Sequence, residues 1–324
     1  MTAYRFQVPA SFFGMVVGLV GLGTCWRTAS RLWWLPGWVG EAIMLIAVFA
    51  WALLLLAYIG KWIWARPLAL AEFHHPIQCC FIGLVPVSTM LIALAAAPYS
   101  HAAGRALFTL GAAGQLIFGV HRTGTLWMGG RDPVDTTAVA YLPTVAGSFV
   151  TVIVAGALGN ISLGVLFFGA GMFSWIALES VVLRRFMEVA PEPAALRPTI
   201  GIHFAPPVVG CVAYLSITTG TPDLFAQALF GYGVFQGLVL VRLIPWLGAQ
   251  PFAPSYWAYT FATAACALAG LRFLERGLPG PIEWLAPAIF VIANVVIGTI
   301  FMRTLWLLLR GRLLPVTPPV AAPV

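Results

Sequence analysis

The sequence predicts an all-α polytopic membrane protein with ten transmembrane helices, on the strength of three observations. Of the 324 residues, 61% are hydrophobic and only 8% are charged. The apolar residues gather into repeated stretches close to the ~20 residues that a bilayer-spanning helix needs. The polar links between them never exceed roughly twenty residues, too few for a soluble domain.

Taken in order, the stretches cover residues 12–26, 39–64, 79–97, 106–127, 141–157, 161–182, 198–217, 224–246, 255–273 and 284–309. Lipid offers nothing to pair with exposed backbone N–H and C=O groups, so each is expected to be a helix. The first lacks a cleavage site of small residues and is followed directly by further spans, so it is expected to stay in the membrane. Residues 1–314 are therefore expected to form a single transmembrane channel domain. The proline-rich, uncharged tail 315–324 is expected to be disordered.

Charge sets the orientation. With both termini on one side, that side holds twelve Lys and Arg residues, among them Lys61, Arg66, Arg122, Arg131 and Arg197, while the other holds Arg27, Arg31, Arg105, Arg272 and Arg276. The positive-inside bias predicts cytoplasmic N and C termini in a bacterial inner (plasma) membrane. It also accounts for the net charge of +7 without a nucleic-acid partner, since no basic tract is present.

The sequence carries no enzyme signature. It has no HExxH, GxSxG, P-loop or dinucleotide fingerprint. Its five cysteines show no CxxC or Cys/His spacing suited to zinc, so no metal or cofactor is expected. His74 and His75 fall in a polar link, and His203 is the one histidine well inside a span.

The prolines say more. Pro86, Pro143 and Pro206 (with Pro207) fall inside odd-numbered spans, 57 and 63 residues apart, and the even spans show no comparable interior proline. Such a proline removes a backbone hydrogen bond and kinks the helix, which is tolerated at membrane depth where the freed carbonyl faces protein or a water-filled cavity. The pattern predicts five helical hairpins in a quasi-five-fold arrangement, with bent odd helices around a central pore. The first and ninth spans depart from it: the first has Val16 and Val17 where a proline is expected, and the ninth has only Pro254 at its start.

The segments Phe12-Phe13-Gly14, Leu84 through Met90, Gly114-Gln115-Leu116, Tyr141-Leu142-Pro143, Phe167 through Met172, Ala213 through Ile217, Arg242 through Trp246 and Trp257-Ala258-Tyr259-Thr260-Phe261 resemble the tellurite-resistance and dicarboxylate transporter family. The match is to its bacterial TehA-type members and extends to the plant slow anion channels. The resemblance implies a homotrimer in which each protomer has its own pore, five odd helices inside and five even helices outside. It also implies that Phe261, one of 22 phenylalanines, projects from the ninth helix and gates the pore. Gly14, Val17, Pro86, Pro143 and Pro206 are then expected at pore-lining or kink positions, with Val17 standing where the family carries a proline.

The expected activity is conduction of small inorganic monovalent anions. Their lost hydration would be offset by the ends of broken helices, and selectivity would follow the cost of dehydration. The alternative is a secondary transporter for tellurite or C4-dicarboxylates, which would be expected to place Arg or Lys at its substrate site, and the odd spans are short of both. Glu179 in the sixth span is expected to be a structural intramembrane charge, hydrogen-bonded between helices or at the trimer contact.

Overall fold

The computed structural model describes residues 8–189 and 191–314. The expected tail 315–324, like Arg5 in the charge tally, lies outside them. Among the described residues, ten helical segments are long and apolar enough to span a bilayer: α1 Ala10–Trp33, α2 Gly37–Trp64, α3 Gln78–Ala96, α4 His101–Trp127, α5 Ala138–Ala157, α6 Ile161–Glu188, α7 Ala194–Ile217, α8 Leu224–Arg242, α9 Pro254–Glu275 and α10 Ile282–Leu309. Burial alternates along the chain. The odd spans are 67–83% buried over their most apolar windows and the even spans 17–28%. In a membrane this pattern separates protein-facing helices from lipid-facing ones.

Contacts between spans give the arrangement. α1 packs on α3, α3 on α5, α5 on α7, α7 on α9, and α9 returns to α1, so the odd spans close into a ring. Each even span packs against the odd span before it. The most buried large side chains, Phe13, Met90, Tyr141, Phe149 and Phe273, all belong to odd spans. All five odd spans start at one end of the ring, called here the near end, and finish at the far end. At the far end, Ser100, Asn160 and Asp223 accept hydrogen bonds from the first turns of α4, α6 and α8, so these outer helices start on satisfied N-caps.

The inner and outer helices differ in more than burial. Every odd span opens with tighter 3-10 turns, at Ala10–Phe12, Gln78–Gly83, Ala138–Tyr141, Ala194–Phe204 and Pro254–Tyr259. In α5 a π-turn, Leu142–Ala146, follows. This corrects the expected position of the kinks. Pro86, Pro206 and Pro207 lie in the first turn of an α-helical segment that continues a 3-10 turn, and Pro143 lies in the first turn of the π segment, so the prolines mark changes of helix type within continuous spans. α1 and α9 make the same 3-10 start without a proline at the junction, so neighbouring packing is sufficient to impose it.

Three further expectations need correction. Pro287 lies inside α10, so an even span does contain an interior proline. α8 stops at Arg242, because Pro245 cannot continue its hydrogen bonding, and the chain restarts as a short turn at Ile244–Leu247. His74 ends a helix, Arg66–His74, that lies between α2 and α3 in place of a plain polar link.

That short helix secures the start of α1. Glu72 accepts from Lys61 Nζ at 2.8 Å, from Tyr58 Oη at 3.3 Å and from the Ala10 backbone N–H at 2.8 Å. Both members of the ion pair have only 7% of their side-chain surface exposed.

Glycines let the two shells approach. A Cβ on Gly111 of α4 would lie 2.8 Å from the Pro86 carbonyl oxygen and 2.9 Å from the Met90 backbone nitrogen, and backbone atoms cannot swing aside. Gly111→Leu is therefore expected to destabilise the protein by about 1–3 kcal/mol through overpacking, read as a lower unfolding temperature in detergent. The same substitution at Gly231, which has open space around it, is the control.

Candidate conduction pathway

Two cavities lie inside the ring. The larger, about 290 Å³, opens toward the near end and is walled by all five odd spans. Each span contributes a polar residue from its 3-10 start: Ser11, Gln78, Tyr141, Thr199 and Ser255. Deeper in, the wall is apolar and includes Gly14, Val17, Leu84 and Pro206. The smaller cavity, about 20 Å³, has room for roughly one water and is again walled by every odd span, with Val20, Leu91, Ile153, Val212 and Leu268.

The cavities stack along one axis. In α1, α3, α5 and α7 the residues of the larger cavity precede those of the smaller, as Val17 precedes Val20 and Val209 precedes Val212, and in α9 the two sets meet at Phe261 and Ala262. Phe261 is the one residue common to both walls. Its ring lies beside Gly21, where an added Cβ would make an ordinary 3.4 Å contact with Phe261 Cδ2 but would stand 2.8 Å from Ala264 Cβ, so the glycine serves the close approach of α1 to α9. Neither wall contains a Lys, Arg, His, Asp or Glu side chain.

The residues anticipated at the pore divide into two groups. Gly14, Val17, Pro206 and Phe261 line the axis. Pro86 and Pro143 line neither cavity and face α4, where Gln115 Nε2 donates to the Pro143 carbonyl at 2.6 Å. That bond satisfies a carbonyl of the irregular turn from within the protein. Gly147 leaves room for the Gln115 amide.

Glu179 is held between four spans. Its carboxylate accepts from Tyr141 Oη at 2.8 Å, Trp175 Nε1 at 2.7 Å and Tyr232 Oη at 3.0 Å, with His203 Nε2 at 3.5 Å. It lines neither cavity, and its hold on Tyr141 fixes one polar member of the vestibule. Arg303 lies over the Phe252 ring at 5.8 Å, and Glu41 pairs with Arg27.

The odd spans carry more basic groups than expected. Arg27 and Arg31 fall within α1 and Arg197 within α7 because those helices extend past the apolar stretches, and Arg272, inside the stretch 255–273, falls within α9. The ring of five polar residues at the vestibule also escaped the sequence reading. Its only trace is one polar residue near the start of each odd span, a spacing that coincidence also produces.

Beside the vestibule, Thr199 Oγ1 donates to the Leu196 carbonyl at 2.7 Å and to Glu192 Oε2 at 3.4 Å. Burial holds the Glu192 carboxyl above its ordinary range, outweighing the nearby Arg185 and Thr199. The folded state thus keeps a proton that the unfolded chain releases, so this group adds stability as pH falls toward the ordinary carboxylate range and withdraws it as pH rises. Glu192→Gln is expected to melt above the wild type at about pH 8 and to lose that advantage near pH 4.5, as followed by tryptophan fluorescence.

A shell of five helices around a ring of five, enclosing an uncharged axial tube, defines an integral membrane protein of the channel or carrier class. The chain belongs to the SLAC1 family, described as voltage-dependent anion channel, whose pattern matches residues 7–305. Among relatives, the tellurite resistance protein TehA homolog of Haemophilus influenzae is 34% identical over 95% of this chain and 93% of its own length. The S-type anion channel SLAH3 of Arabidopsis thaliana is 23% identical over 93% of this chain and 48% of that longer protein. The guard cell S-type anion channel SLAC1 of the same plant is 22% identical over 93% of this chain and 56% of its own length.

Proposed function

We propose that this chain is an anion channel whose axial tube carries small monovalent anions and is occluded by Phe261. One observation carries the reading: the two stacked cavities share a single wall residue, and it is Phe261. The odd spans all begin at the near end, at Ala10, Gln78, Ala138, Ala194 and Pro254, around the mouth of the vestibule. Helix N-termini carry partial positive charge, which offsets part of the hydration an anion loses there. The apolar wall supplies no site for a particular ion, so passage is ranked by dehydration cost, with nitrate ahead of chloride.

The uncharged walls argue against a C4-dicarboxylate carrier, which needs a cationic clamp for two carboxylates. The name of the Haemophilus relative keeps tellurite transport as the competing reading. In the same proposal the protein works as a homotrimer with quasi-five-fold protomers, residues 1–314 form one domain, and both termini face the cytoplasm from the inner membrane. The test is anion current through purified wild type and Phe261→Ala in planar bilayers, using chloride, nitrate and a dicarboxylate. Mutant currents that rise linearly with the gradient and favour nitrate support the channel. Saturable tellurite or dicarboxylate flux in vesicles, with both bilayers silent, supports the carrier.

A further inference from the structure

Four arginines gather at the far end of the ring: Arg27 and Arg31 on α1, Arg272 in the last turn of α9, and Arg276 just after it. Three of them have acceptors. Arg27 grips both carboxylate oxygens of Glu41 at 2.7 Å and donates to the Leu94 carbonyl near the end of α3, also at 2.7 Å. Arg31 holds Glu275 through Nε at 3.0 Å and Nη2 at 2.8 Å. Arg276 donates to the Leu215 carbonyl, and to the Thr218 carbonyl at 2.7 Å, at the end of α7.

Arg272 is different. Among the described residues it makes no ion pair, and its Nε is buried without a partner. The groups within its electrostatic reach are Glu275, already held by Arg31, the cations Arg31 and Arg276, and the Cys25 thiol. A guanidinium partly withdrawn from water among like charges, with the neighbouring carboxylate taken, is short of an anion.

Its position on α9 supplies the second argument. Phe261, Ala265, Leu268 and Arg272 follow one another at steps of four, three and four residues, which places them on one helix face. The first three line the smaller cavity. Arg272 therefore stands one turn beyond the last of these α9 residues, in line with Phe261.

We propose that Arg272 binds a small inorganic anion, of the chloride or nitrate class, at the far mouth of the axial tube. Nitrate, flat and trigonal like a carboxylate, can take two parallel N–H donors from the guanidinium. The consequence for transport rests on the channel reading, whereas the binding does not.

In a Phe261→Ala background, Arg272→Gln is expected to lower single-channel nitrate conductance about fivefold at about 20 mM salt and less than about twofold at 1 M, where screening shortens the reach of a charge to ~3 Å. The loss should be greater for anions entering from the far end, and Arg272→Lys should retain most of the conductance. Equal conductance of the Arg and Gln channels at low salt overturns the proposal. If Phe261→Ala passes no current, the channel reading falls and binding decides this one. Nitrate, against gluconate at equal ionic strength, should then raise the unfolding temperature of the wild type but not of Arg272→Gln. Equal shifts, or none in either, overturn it. Arg272→Met serves in both assays where the glutamine variant fails to fold.

Discussion

Phe261→Ala is expected to raise anion conductance about tenfold or more over the wild type, which corresponds to lowering the barrier by at least ~1.4 kcal/mol. Phe261 lines both cavities, and beyond it the path narrows to about 20 Å³ of apolar space. An anion forced through such a constriction sheds water with nothing charged to replace it, and a tight apolar neck also tends to dry. Removing the ring merges the two cavities. A graded series sharpens the test: Phe261→Leu should conduct between wild type and alanine, and Phe261→Trp no more than wild type. An alanine variant as quiet as the wild type in planar bilayers would remove Phe261 from the gating role.

The second large effect is on folding. Glu72→Ala is expected to destabilise the protein by about 3–5 kcal/mol, the range for breaking a buried ion pair on one side. The substitution leaves the Lys61 ammonium, 7% exposed, without its counter-charge and strips the Ala10 N–H of its acceptor. Both losses fall where α1 begins and where Ser11 and Gly14 enter the vestibule wall. Replacing the pair together, as Lys61→Met with Glu72→Leu, should recover much of the stability, because the penalty comes from the stranded charge. Unfolding temperatures in detergent for the single and double variants form the required cycle, and a double variant as unstable as Glu72→Ala would assign the effect to the Ala10 contact.

Much of this architecture was legible in the sequence. Hydropathy located all ten spans, because a helix in lipid must be apolar along most of its length. Odd and even spans were separable only indirectly, through Pro86, Pro143 and Pro206. The inference pointed to the correct helices by a partly mistaken route: these prolines mark where 3-10 or π geometry gives way to α-helix, and Pro86 and Pro143 turn toward α4. Nothing local reveals that Gln115 will reach the Pro143 carbonyl or that Lys61 will meet Glu72, since both depend on how helices pack. Arg272 was visible as a charge inside the ninth stretch, but its lack of an acceptor was not, because that depends on which side chains the neighbouring helices bring to it.

The setting of the Phe261 ring has a consequence for time. Glycines such as Gly111 press the two shells against each other's backbones, which leaves little scope for helices to slide, whereas the Phe261 ring borders open space on both sides. A gate that is one side chain turning about its own bonds needs no helix to move, whereas rocking of helix bundles takes microseconds to milliseconds. Recordings of the wild type should then show no resolved steps between open and shut. Brief openings would blur into a small steady current with excess high-frequency noise, and the average current would report the fraction of time the ring spends swung out of the tube.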